Sequence, residues 1–146
     1  MADLSFFVDA TAQGFGKDRE GVISVDGHKV RFSAPASMGG KGVGASPETL
    51  LISAVTACYS LTLLALLQKR RLPCTDIAVR TEGVVTGFPK DDTYSRVVVS
   101  PVIKGADVAR GEEYKAVAAE ARDRCFIGRT VHVGGVAYEV GSVSVS

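Results

Sequence analysis

The chain has 146 residues, of which 46% are apolar and 23% charged, which is ordinary for one soluble domain with a real hydrophobic core. Lys+Arg of 17 against Asp+Glu of 16 leaves a formal charge of +1, excluding the basic footprint of a nucleic-acid binder. Three widely spaced cysteines make no disulfide framework, and no basic-then-apolar leader opens the chain, so a reducing cytoplasm is expected, where any disulfide would be transient.

In chain order, Leu4-Ser5-Phe6-Phe7-Val8 predicts the start of a strand, followed by a loop at Gln13-Gly14-Phe15-Gly16. Val22 to Val25 and Lys29 to Phe32 flank Asp26-Gly27, the pair that supplies the positive φ angles of a tight hairpin turn. Pro35 ends that strand, and Gly39, Gly40, Gly42 and Gly44 predict a flexible connector. Its spacing fits neither phosphate-loop pattern, and Glu48 would repel a phosphate. Ser46-Pro47-Glu48 then opens a helix: serine as N-cap, proline in the first turn, a carboxylate at the positive dipole end.

That helix is apolar on most sides and should stop before Pro73, with Lys69-Arg70-Arg71 suiting its negative end. The uncharged run from Thr49 to Gln68 is about long enough to cross a bilayer, but hydroxyls dot it and strand-like segments flank it. A core helix is therefore expected, with no membrane role. Ile77 to Val85 and Tyr94 to Ile103 form a second hairpin with one wet face, and Pro101 places its second strand at an edge or a bulge. Ala109 to Arg124 is amphipathic, with Tyr114, Val117, Ala118 and Ala121 on one stripe that Cys125 continues. Thr130 to Val133 and Val136 to Val145 predict a final hairpin.

The expected fold class is α+β in one domain, residues 1–146: antiparallel curved sheets built from hairpins around a long buried central helix, plus a second amphipathic helix. The central helix is too apolar all round for a small monomer to cover. It implies an intertwined homodimer with a shared core.

Chemistry has few places to reside. His28 and His132 are isolated from other ligand types, and neither a metal site nor Ser-His-Asp logic is visible. Cys74 follows Pro73 with no activator nearby and reads as structural. A mid-helix Cys58 alone would read as filler too, since burial raises a thiol's pKa and dulls it. Cys58 with Cys125, Arg19 and Glu48 instead suggests a two-thiol redox site, provided that a cation reaches Cys58 and holds it as thiolate.

The strand-hairpin start, the glycine loop, Gly44-Ala45-Ser46-Pro47-Glu48-Thr49-Leu50-Leu51, Ala54-Val55-Thr56-Ala57-Cys58 and Arg124-Cys125 together resemble the OsmC/Ohr family of thiol-dependent peroxidases. The family places a reactive cysteine ten residues after the glutamate of a Pro-Glu pair, as Cys58 follows Glu48 here. The resemblance implies an OsmC-like fold, intertwined dimers with sites at the subunit interface, and reduction of organic hydroperoxides, with hydrogen peroxide a poorer substrate. It implies Cys58 as peroxidatic thiol, Cys125 as resolving thiol, Arg19 as the activating cation (with Lys17 a near neighbour) and Glu48 as the carboxylate orienting it. Phe126-Ile127-Gly128 departs from the Pro and nearby Ser that commonly follow the family's second cysteine. Phe15, Met38, Tyr59 and Phe126 are candidate apolar walls for an alkyl peroxide. No prosthetic group is expected, because sulfur carries both electrons. The reductant implied is an external dithiol, lipoyl or small-molecule.

Ten helical residues rise ~15 Å, and Glu48 and Cys58 would point roughly 80° apart, so one straight helix cannot bring them together. A site holding both needs a partner helix running the other way. Two other readings stay open: a hot-dog-like acyl-CoA thioesterase with Glu48 as general base, and a non-catalytic apolar-ligand binder of the same fold.

Overall fold

The computed structural model describes residues 2–146, which fall into two compact units, the first ending at Leu50 and the second beginning at Leu51. In the first, β1 (Asp9–Gln13), β2 (Glu20–Val25) and β3 (His28–Ser33) form an antiparallel sheet in the order β1-β2-β3. The β2-β3 turn sits on Asp26 and Gly27 at φ 47° and 80°, the left-handed pair that the sequence predicts. The strand expected to begin at Leu4 begins at Asp9 instead. Residues Leu4 to Val8 pair with no strand among the described residues, and Leu4, Phe6, Phe7 and Val8 stand exposed.

The glycine-rich segment after β3 is tied down by its backbone. Gly40 and Gly42 donate to Pro35 and Ala34 oxygens, and the buried Ser33 hydroxyl both accepts from Val43 N–H at 2.9 Å and donates to Val43 O at 2.8 Å. At Gly44, φ is +69° and a Cβ would meet Arg31 O at 2.2 Å, so only glycine fits. The loop delivers Ser46 to the start of α1 (Pro47–Lys69). There Ser46 Oγ accepts from Thr49 N–H at 3.1 Å, and Thr49 Oγ1 accepts from Ser46 N–H at 3.0 Å. This is a reciprocal cap in which threonine replaces the usual Glu or Gln.

From Leu51 onward α1 belongs to the second unit, with β4 (Asp76–Thr86), β5 (Thr93–Lys104), α2 (Gly111–Arg124), α3 (Phe126–Val133), β6 (Ala137–Val140) and β7 (Ser144–Val145). The class is α+β. Val55, Tyr59, Leu63 and Leu67 recur every four residues on one face of α1 and are fully enclosed. They pack with Val97, Val99 and Ile103 of β5 and with Tyr114, Val117 and Ala121 of α2, the stripe read from sequence. Each such side chain contributes about 1.5–3 kcal/mol of burial. α1 is long and apolar enough to cross a bilayer, but this stripe makes it a core helix. Leu51, Leu61 and Leu64, elsewhere on α1, remain exposed.

Three expectations need correction here. The final hairpin is absent: residues expected as its first strand lie in α3, and β6 and β7 pair with β5 in parallel, so the second sheet is mixed. β5 is central, not an edge, with β4 on one side and β6 and β7 on the other. Pro101 is tolerated because β6 pairs with Arg96 to Val99 and β7 with Val102 and Ile103, leaving its missing N–H between the two. The bulge lies in β4 at Val84/Val85.

Candidate functional site

Cys125 is the hinge between two helices. Its N–H donates to Ala121 O at 2.9 Å, closing α2, and its own carbonyl accepts from Arg129 N–H at 2.9 Å, opening α3. With φ −69° and ψ 100° it is extended, so it ends one helix and caps the next. The side chain is the cap: Cys125 Sγ accepts from Gly128 N–H at 3.4 Å and donates to Val55 O at 3.9 Å. The sulfur is wholly buried.

That contact sets the thiol pair. Val55 and Cys58 lie three residues apart on one face of α1, so a sulfur resting on the Val55 carbonyl sits beside Cys58. Cys58 is near enough to push the Cys125 ionisation upward, both thiols are free, and Cys58 is half-buried. Burial pushes the Cys125 thiol above its ordinary value; the Tyr138 hydroxyl opposes this, Cys58 adds to it, and Gly128 N–H opposes it. Burial wins, and Cys125 holds its proton at neutral pH.

Two tyrosines enclose this sulfur. Tyr59, one residue after Cys58, donates its hydroxyl to Ala118 O at 2.9 Å, joining α1 to α2. Burial first, and then Cys125, push its ionisation upward. Tyr138 on β6 is 4% exposed, and its ring occupies the space left by Gly128, where a Cβ would come within 2.2 Å of Tyr138 Cε1. Burial and then Cys125 raise this hydroxyl strongly as well. The sequence carries no pattern that singles out Tyr138; parallel pairing of β6 with β5 brings it in, with Tyr138 opposite Val97.

The structure thus brings Cys58, Cys125 and Tyr59 together. Tyr59 is enclosed in the core, not set at an open wall. Phe126 begins α3 and is 60% exposed. Cys74 donates to Asp76 O at 3.5 Å, and burial followed by the Asp76 charge pushes its thiol up, as suits a spectator. The remaining candidates belong to the first unit. Arg19 is exposed and donates its Nε to Gly16 O at 2.9 Å, with Lys17 in the short turn before it. Glu48 is half-buried in the first turn of α1. Phe15 is exposed, and Met38 is half-buried in the turn after β3.

Comparison with known proteins agrees with this architecture. Over 97% of this chain and 99% of its own, an organic hydroperoxide resistance protein OsmC from Legionella pneumophila superposes with TM-score 0.74 at 22% identity. An OsmC-like protein from Mycoplasma pneumoniae superposes over 99% of both chains with TM-score 0.79 at 16% identity. In sequence, the chain is 28% identical over 134 residues to the Bacillus subtilis protein YmaD, covering 90% of this chain and 89% of that one. The model of the family described as OsmC-like protein matches residues 39–140, which include α1, both thiols and Tyr138. The chain belongs to the OsmC-like protein family.

Proposed function

We propose that the protein is a thiol-dependent peroxidase that reduces organic hydroperoxides to alcohols. The observation that carries this reading is the contact between Cys58 and Cys125, two free thiols held side by side by α1 and the α2-α3 junction. The half-buried Cys58 is the more accessible of the two and is the peroxidatic thiol; the buried Cys125 resolves. Cys58 thiolate attacks the terminal peroxide oxygen, the O–O bond breaks, and the alcohol leaves, with the sulfur oxidised to sulfenic acid. Cys125 attacks that sulfur, the S–O bond breaks, and water leaves as the disulfide forms. An external dithiol then returns both thiols, taking the disulfide itself.

Arg19, with Glu48 orienting it, is the proposed activator of Cys58, and an intertwined homodimer is the proposed assembly. Support for the first comes from the family motif, and for the second from Leu51, Leu61 and Leu64 left exposed on α1. Relatives named for organic hydroperoxide resistance support the substrate class. A steady-state assay with cumene hydroperoxide and dihydrolipoamide tests the reading. Turnover is expected in the wild type and absent in Cys58→Ser. Full activity in Cys58→Ser would contradict it.

A further inference from the structure

Tyr138 has no part in the chemistry described so far, yet it is a nearly enclosed polar side chain in the same core as Cys125. Its hydroxyl is buried and meets no partner at hydrogen-bond geometry in the reduced protein. The Tyr138 Cζ packs on Gly128, whose N–H reaches Cys125 Sγ, so the hydroxyl stands near that sulfur, where it lowers the cost of ionising it. A buried hydroxyl left unpaired is costly, so its place calls for a reason. The ring lies against Gly128, where a Cβ would come within 2.2 Å of it. Gly128 N–H is in turn the donor that already reaches Cys125 Sγ, at 3.4 Å. One glycine therefore sets both: its amide points at the sulfur, and its missing side chain seats the tyrosine.

The geometry points to Tyr138 as a positioning residue for Cys125: its hydroxyl is a held-back donor that, with Gly128 N–H, receives the negative charge on Cys125 Sγ while the disulfide forms. This rests on the peroxidase reading above. To attack sulfenic Cys58, Cys125 must shed the proton that burial makes it keep. As the S–H bond breaks, Tyr138 O–H and Gly128 N–H donate to the thiolate. The new S–S bond then carries that electron pair away, and the departing hydroxide takes up the proton as water. Tyr138 keeps its own proton throughout, since its ionisation is displaced far upward. A donor to a charged acceptor is stronger than a neutral hydrogen bond, so the hydroxyl acts only when charge appears.

Tyr138→Phe tests this, because the ring stays and only an unpaired hydroxyl is lost. In the full-length protein treated with one equivalent of cumene hydroperoxide, dimedone trapping should show sulfenic Cys58 forming at the wild-type rate. Disulfide closure should slow about tenfold or more. In a Cys58→Ser/Cys74→Ser background, titration of Cys125 by its 13Cβ shift should move about one pH unit higher when Tyr138→Phe is added. Unchanged closure and an unchanged Cys125 midpoint would overturn the proposal, whatever happens to thermal stability. If the wild type forms no disulfide at all, the peroxidase reading fails, and the Cys125 titration still decides the role of Tyr138.

Discussion

Cys125 holds its proton because it is buried, and this has a consequence for stability. Its folded ionisation lies above the ordinary thiol value of 9.0, so folded and unfolded chains both keep the proton below that pH. As pH rises past it, the unfolded chain releases a proton that the folded chain retains, and stability is lost up to the folded value. Tyr59 and Tyr138, both raised from 10.0 by burial, act in the same direction at higher pH. Each group steepens the loss by up to about 1.4 kcal/mol per pH unit. Urea midpoints should therefore fall from about pH 9 upward, and Cys125→Ser should lessen the earliest part of that fall, leaving the share of Cys74, whose thiol is also raised. A wild-type midpoint flat through the alkaline range would contradict the burial described here. Also at this scale, Tyr59→Phe removes the Tyr59–Ala118 bond and should cost about 1 kcal/mol in denaturant unfolding.

At the scale of elements, the α2-α3 junction depends on Gly128. Gly128→Ala would place a methyl group within 2.2 Å of the Tyr138 ring, and the clash should cost about 1–3 kcal/mol. A chemical-denaturation midpoint equal to wild type would show that the ring can yield. This junction is also where sequence reasoning stopped. The buried face of α2 was legible, since Tyr114-Val117-Ala118-Ala121 follows helical spacing, whereas α1 is apolar on most sides and its sequence does not mark Val55-Tyr59-Leu63-Leu67 as the face it buries. The Asp26-Gly27 turn and the Ser46 cap were legible too, because local backbone chemistry specifies them. α3 was not legible: Thr130-Val131-His132-Val133 is β-branched and strand-like, and capping by the Cys125 side chain overrides that propensity. Parallel pairing of β6 with β5 leaves no local trace either, and Tyr138 was missed with it. Of the site itself, Cys58 and Cys125 were legible; the hydrogen-bond donors around Cys125 were not.

For the whole molecule, the exposed α1 leucines bear on assembly. Leu61 is 71% exposed on an otherwise apolar helix, the kind of surface that a second copy covers. Sedimentation velocity should show a dimer in the wild type and a monomer in Leu61→Asp. A wild-type monomer would contradict the proposed assembly. The most direct measurement on the function is a thiol count after one equivalent of an organic hydroperoxide, with peptide mapping of any disulfide. Of three free thiols per chain, two should disappear as a DTT-reversible Cys58–Cys125 bond, with Cys74 remaining free. Three thiols still free, or a bond that involves Cys74, would contradict the account.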